Sequence, residues 1–309
     1  MPAYQKPLAL IDALHPALPE IDLAISLADK SAPITLLDVV PDQGWTWNLL
    51  GSKAEEIRQK LKSEKESALS TLAGEHAVKL GRPVVPVVAH GKTGLAVIKQ
   101  VQAGQHDLVL LQAKGPHSRR AGGIGDTAWE LLRKCPSSVL LISQQEAKTS
   151  PKKILVTLDA AAEDEKHIAL NKKIMTAAAD LAIELGASLT AIHCWAIYGE
   201  GLVKDYMTTA EFADIEEGTR KLGEEGLQSL AASLSAKPAE FHLKLIRGLP
   251  NIQIPLFAND NDFDLVVMGT VARQGLAGAF LGNTAEEVLP QLRTSILAIK
   301  PDGFISPVS

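Results

Sequence analysis

Short, uninterrupted apolar runs alternate along this chain with longer stretches whose apolar residues recur every three or four positions. Runs of that length bounded by turn residues suit strands buried on both faces, and the slower rhythm suits helices packed against them. In the first half, strands are predicted at 8–12, 34–40, 84–89, 108–111 and 138–142, with helices at 20–29, 54–80, 94–103 and 127–134. The second half repeats the order, with strands at 154–159, 189–195, 241–246, 265–268 and 295–299. Its helices are predicted at 169–185, 211–234 and 252–258, with a last one opening at Gly282-Asn283-Thr284. Residues 197–208 read as an irregular connection, and Pro255 and Pro290 fall inside helical stretches, where a missing N–H implies kinks or shorter helices. Strand and helix alternate throughout, so the expected fold is α/β, Rossmann-like or flavodoxin-like. Right-handed crossovers then give a five-stranded parallel sheet with helices on both faces in each half.

The two halves are copies of one unit. A shift of 157 residues, with no gap over 52 positions, lays Gly91 on Gly248, Asp107 on Asp264, Gly125 on Gly282, Thr127 on Thr284, Glu130 on Glu287 and Ser138 on Ser295. Scattered apolar matches arise by chance, but Gly, Asp, Thr, Glu and Ser in one frame point to duplication. The expected division is a first domain at 1–147, a polar linker ending in proline at 144–151, and a second domain at 151–309.

Composition narrows the function. Of 309 residues 46% are apolar and 22% charged, which suits globular domains with substantial cores. Up to residue 150, 17 Lys/Arg stand against 15 Asp/Glu, and beyond it 14 against 21, so the halves carry +2 and −7. That balance argues against a nucleic-acid partner. No apolar run is long enough for a membrane span, and two isolated cysteines, Cys135 and Cys194, point to a reducing cytoplasm rather than a disulfide framework.

The chemistry concentrates at 264–300. A buried strand runs into a loop with glycines at 269, 275, 278 and 282, and the loop enters a helix N-terminus, an arrangement able to cradle an anion. This segment resembles the signature loop of the universal stress protein family: a glycine, two residues, a second glycine, nine residues, then glycine followed by Ser or Thr. Gly269 and Gly282 match the first and third glycines, Ala272 stands at the second and Asn283 at the Ser/Thr. Segments 106–110, 131–137, 169–171, 280–285 and 299–302 extend the likeness to tandem members of that family.

The resemblance implies two UspA-type domains and a crevice between the first and fourth strands in which ATP binds, with Mg²⁺ as its counter-ion. Carried over by position, Asp159 would stand beside the adenosine, and His193 and Cys194 would flank the base. Gly269, Ala272, Arg273, Gly282, Asn283 and Thr284 would surround the phosphates. In the first copy Gln112 replaces the first glycine while Gly115 and Gly125 remain, and Asp126 at the helix start would repel phosphate. The implied assembly is an internal pseudo-dimer through strands 138–142 and 295–299, open to further homodimerisation.

The residues themselves offer no catalytic set and no metal set. His193 and Cys194 are neighbours on one strand and so point to opposite faces. Asp12 and Asp159 lack a lysine and second acid at a spacing that would complete a phosphatase-like site, and the charge run 60–66 reads as the solvated face of the long helix. The expected function is a cytoplasmic stress-response protein that binds ATP through its second domain as a sensor, without significant catalysis. The alternative is a carrier of an apolar metabolite or lipid, or a protein-interaction scaffold, using 195–203 and the tryptophans Trp45 and Trp47. A hydrolase ranks lowest, because no general base or arginine finger can be placed.

Overall fold

A computed structural model describes residues 4–16, 18–41, 53–115, 123–143, 150–270 and 281–308. They fall into two compact units, one reaching Ser150 and including 304–308, the other running from Pro151 to 303. Trp45, Trp47, most of the expected linker, Ala272 and Arg273 lie outside the described residues.

The first unit runs β1 (Pro7–Leu10), α1 (Leu18–Leu27), β2 (Ile34–Val40), α2 (Lys53–Leu80), β3 (Val84–His90), α3 (Thr93–Gly104), β4 (Leu108–Gln112), α4 (Asp126–Lys134), β5 (Ser138–Ile142). Its strands pair in parallel in the order β3-β2-β1-β4-β5. Every residue of β2 is buried, so both faces of the sheet are covered. The strand order reverses between β1 and β4, and at such a switch point a crevice opens at the carboxyl ends of the strands.

The second unit repeats the plan: β6 (Lys153–Thr157), α5 (Glu165–Leu185), β7 (Ser188–Trp195), α6 (Glu200–Val203), α7 (Thr209–Ala232), β8 (Phe241–Arg247), α8 (Pro250–Asp260), β9 (Leu265–Gly269), α9 (Asn283–Val288) and β10 (Ser295–Ile299). All pairs are parallel in the order β8-β7-β6-β9-β10, with the switch point between β6 and β9.

Several repeated residues have structural causes. Asp107 accepts the backbone N–H groups of Gln5 (2.6 Å) and Lys6 (3.0 Å). Asp264 does the same for Lys152 (2.7 Å) and Lys153 (3.0 Å), so in each copy this acid pins the start of the first strand. Gly91 (φ 124°) and Gly248 (φ 131°) take a backbone that a side chain would strain, just past β3 and β8.

Three expectations are corrected. The connection 197–208 is not irregular throughout, since it contains α6 and a 3₁₀ turn at Lys204–Tyr206 before the Thr208/Glu211 capping box that starts α7. Pro255 does not end α8, which runs on to Asp260. The Asn251 carbonyl, which its missing N–H would have served, receives the Gln291 side-chain amide at 3.4 Å. Pro290 behaves as expected, with α9 stopping at Val288 and a 3₁₀ turn taking over. Finally, the run 60–66 is not solvated throughout, because Lys65 is only 7% exposed and opens a buried stripe continued by Leu69, Ala73 and His76.

Candidate functional site

In the second unit the crevice is built from the ends of β6, β7 and β9. Leu158 N–H still bonds to Ile192 O (3.0 Å), and the chain then turns away at Asp159. Buried Asn171, on α5, clamps that turn: its Oδ1 accepts Asp159 N–H (3.1 Å) and its Nδ2 donates to Asp159 O (2.8 Å). The Asp159 side chain is left half-buried at the strand end.

His193, 5% exposed, sits below the same turn. Its Nδ1 lies 3.2 Å from Ala160 N–H and 3.1 Å from Leu158 O. With its lone pair on Nδ1 the neutral ring accepts from Ala160. The ring packs against α7 at Gly223, where an added Cβ would stand 2.6 Å from His193 Cδ2. Cys194, next along the strand, is 8% exposed, and burial pushes its thiol up to about 12. It is therefore a thiol at neutral pH, not a nucleophile.

At the end of β9, Gly269 lets α5 close over the strand, since a Cβ there would meet Ile174 Cδ1 at 2.9 Å. The next residue, Thr270, is fully buried, and its Oγ1 has no hydrogen-bond partner among the described residues. The β6–β9 pairing ends at Val156 opposite Val267, and both Asp159 and Thr270 lie just beyond the ends of those strands. Thr270 O accepts Gly282 N–H (3.0 Å), closing the base of the loop, and Gly282 O accepts Glu286 N–H (3.0 Å). Gly282 is buried in an extended conformation open to any residue (φ −67°), so backbone freedom does not require a glycine there. Asn283 and Thr284, the first residues of α9, are exposed and make no side-chain cap.

The structure thus gathers Asp159, His193, Gly269 and Gly282 around one switch point, adds Thr270 and Asn171, and turns Cys194 to the other side of β7. Thr270 falls in the stretch 269–271 that also carries the family likeness, but sequence alone gives it no role at the site until its burial is known.

The first unit ends its β1 and β2 differently. Ile11 N–H bonds to Leu37 O (2.9 Å), which makes Asp12 the counterpart of Asp159 and Asp38 that of His193. Asp38, 3% exposed, accepts Ala13 N–H at 2.7 Å, as His193 accepts Ala160 N–H. The Lys65 ammonium, on α2, bonds to Asp12 Oδ1 (3.0 Å) and to Asp38 Oδ1 (2.9 Å) and Oδ2 (2.7 Å). Asp12 further accepts Leu14 N–H (3.2 Å) and lies 3.3 Å from His15 Nδ1. Burial acts to raise the Asp12 carboxyl, but the Lys65 bond and charge with the Leu14 N–H outweigh it and hold it below the ordinary value. The lysine and second acid missing from the linear spacing around Asp12 are therefore supplied by the fold.

In segment 195–203 the side chains divide: Tyr198 and Leu202 are 98% and 76% exposed, whereas Trp195 is 8% exposed. Among the described residues no group of three His, Cys, Asp or Glu is placed to hold a metal ion, and no helix is long and apolar enough to cross a membrane.

Comparison with known proteins agrees with this architecture. The universal stress protein family matches residues 3–143 and again 151–300. Universal stress protein E of Salmonella typhi is 32% identical, over 100% of this chain and 98% of its own length. That of Escherichia coli K12 is 31% identical with the same coverage. A putative universal stress protein from Pseudomonas aeruginosa UCBPP-PA14 has the same fold, with a TM-score of 0.66 at 24% identity, covering 98% of this chain and 95% of that one.

Proposed function

Because the chain belongs to the universal stress protein family, as a tandem, UspE-like member, we propose that this stress-response protein senses ATP through its second unit. One observation carries the reading. Thr270 Oγ1, buried and unpartnered among the described residues, directly follows β9, which with β6 borders the switch point where an α/β sheet takes its ligand. A buried hydroxyl without a partner is costly, and a bound ligand's hydroxyl or phosphate oxygen would satisfy it.

The residues present fit such a ligand. Asp159 can accept from a ribose hydroxyl or the adenine amine, and Asn283 and Thr284 can donate to phosphate, with Gly269 and Gly282 at the two ends of the loop. Ala272 and Arg273 complete the loop assigned to the phosphates. ATP supplies the charge that a Mg²⁺ ion would bridge, since no described protein cluster would hold the metal by itself. The role is read as sensing in a cytoplasmic setting, without turnover.

Calorimetric titration with Mg-ATP tests this. Wild type is expected to bind, and Asp159→Asn and Thr270→Val are each expected to weaken binding by roughly 10-fold, the effect of about 1.4 kcal/mol from one lost hydrogen bond. No binding heat from wild type at any temperature, or undiminished affinity in both variants, contradicts the reading. The exposure of Tyr198, Leu202 and Tyr206 favours a second role for 195–206 as a protein-contact surface of a scaffold rather than as a metabolite pocket.

A further inference from the structure

The two units solve the same packing problem in opposite ways. In the second, a large ring, His193, meets a position on α7 that has no side chain, Gly223. In the first, a small acid, Asp38, meets a long cation on α2, Lys65. The helices correspond through their buried positions, since Lys65, Leu69 and Ala73 have the spacing of Gly223, Leu227 and Ala231, and the second and third pairs also match in residue type. Both pairs hold the N–H that follows the strand-one acid, that of Ala13 or Ala160. The electrostatic results differ. Between them, the Asp12 and Asp38 carboxylates accept three bonds from one ammonium and three from backbone N–H groups, those of Ala13, Leu14 and Val39.

We propose that Lys65 closes the crevice of the first unit, filling as an internal cation the place where a ligand would meet the strand-one acid, so that the chain takes one nucleotide, in its second unit. This rests on the ATP reading given above and adds to it which unit is competent and why. A ligand hydroxyl or amine approaching Asp12 would have to displace a buried ammonium held by two carboxylates. At Asp159 the corresponding helix position is Gly223, which sends no side chain there. Gln112 in place of Gly269 and Asp126 at the start of α4 act in the same direction, but they lie at the phosphate end of the crevice, whereas Lys65 blocks the nucleoside end.

The test counts sites by equilibrium dialysis of radiolabelled ATP with Mg²⁺ against the full chain. Wild type is expected to hold one ATP per chain. The double variant His193→Asp with Gly223→Lys, which transplants the closed arrangement into the second unit, is expected to hold none while melting cooperatively. Should that variant fail to fold, the single changes decide: Asp159→Asn weakens binding and Asp12→Asn leaves the count and affinity as in wild type. Two sites in wild type, loss of binding in Asp12→Asn, or full binding by a folded transplant overturns the closure while leaving the ATP reading intact. Absence of any bound ATP in wild type overturns both.

Discussion

Lys65→Met is expected to lower the melting temperature of the first unit by roughly 10 °C, corresponding to a loss of about 3–5 kcal/mol. Methionine keeps the length and apolar stem of the side chain, so the effect isolates the ammonium. Removing one partner of a buried ion pair strands the other, and here two carboxylates are stranded, with Asp38 only 3% exposed. The pH dependence gives an independent check. In wild type the folded-state value of Asp12 lies below its ordinary 3.8, so its contribution is present above that pH and lost as pH falls through the folded value. In Lys65→Met the bond and charge that lower Asp12 are gone while its burial, which raises it, remains, so Asp12 favours retention of a proton and the variant loses stability relative to wild type as pH rises. Denaturant melts from pH 4 to pH 8 should therefore show the gap between wild type and variant widening with pH. A constant gap, or one below 1 kcal/mol at pH 7, would mean that the ammonium is not what stabilises this corner of the unit.

Gly226→Ala is the second large effect. An added Cβ at this α7 position would lie 1.9 Å from the Ala160 carbonyl oxygen, a backbone atom that cannot swing aside. Either α7 lifts or the turn carrying Asp159 moves, and overpacking of this kind costs about 1–3 kcal/mol. The expected result is a lower urea midpoint together with weakened ATP binding, since Ala160 directly follows the acid. Gly218→Ala on the same helix is the matched control: nothing stands within 4 Å of its added Cβ, so the substitution should stabilise by about 0.5–1 kcal/mol through helix propensity alone. A neutral Gly226→Ala would show that the turn at 159–160 is free to shift.

The sheet was legible in the sequence because its strands are buried on both faces and stand out as apolar runs. Strand β2 at 34–40 and strand β5 at 138–142 were placed to the residue. Capping shifted the helix ends, as with α5, which starts at Glu165 because Asp164 accepts His167 N–H (3.0 Å) ahead of the apolar stripe. The gapless repeat at a shift of 157 covered the half of each unit that carries the loop, and the conserved offset reflects real correspondence there. Thus Gly125 N–H bonds to Ala113 O (2.7 Å) just as Gly282 N–H bonds to Thr270 O.

The Lys65 network was not legible, for a physical reason. Asp12 and Asp159 are 147 apart in number, and Asp38 and His193 are 155 apart, so insertions break the frame before the comparison reaches them. A lysine in a run of Lys and Glu on a long helix also has every appearance of a solvated face. Only the fold shows that one of them turns inward between two acids. The loop residues Gly269 and Gly282 were found through their resemblance to the family's signature, but the packing of Gly269 against Ile174 shows that a glycine in a signature can also serve the protein's own helices.

Amide hydrogen exchange on the full chain, with and without saturating Mg-ATP, tests most directly whether one unit is open and the other closed. Slowed exchange is expected around 158–160, 269–270 and 281–286, with residues 11–14, 112–115 and 123–128 exchanging as in the ligand-free chain. Protection of the first unit's turn at 11–14, or identical exchange throughout the chain with and without nucleotide, would contradict it.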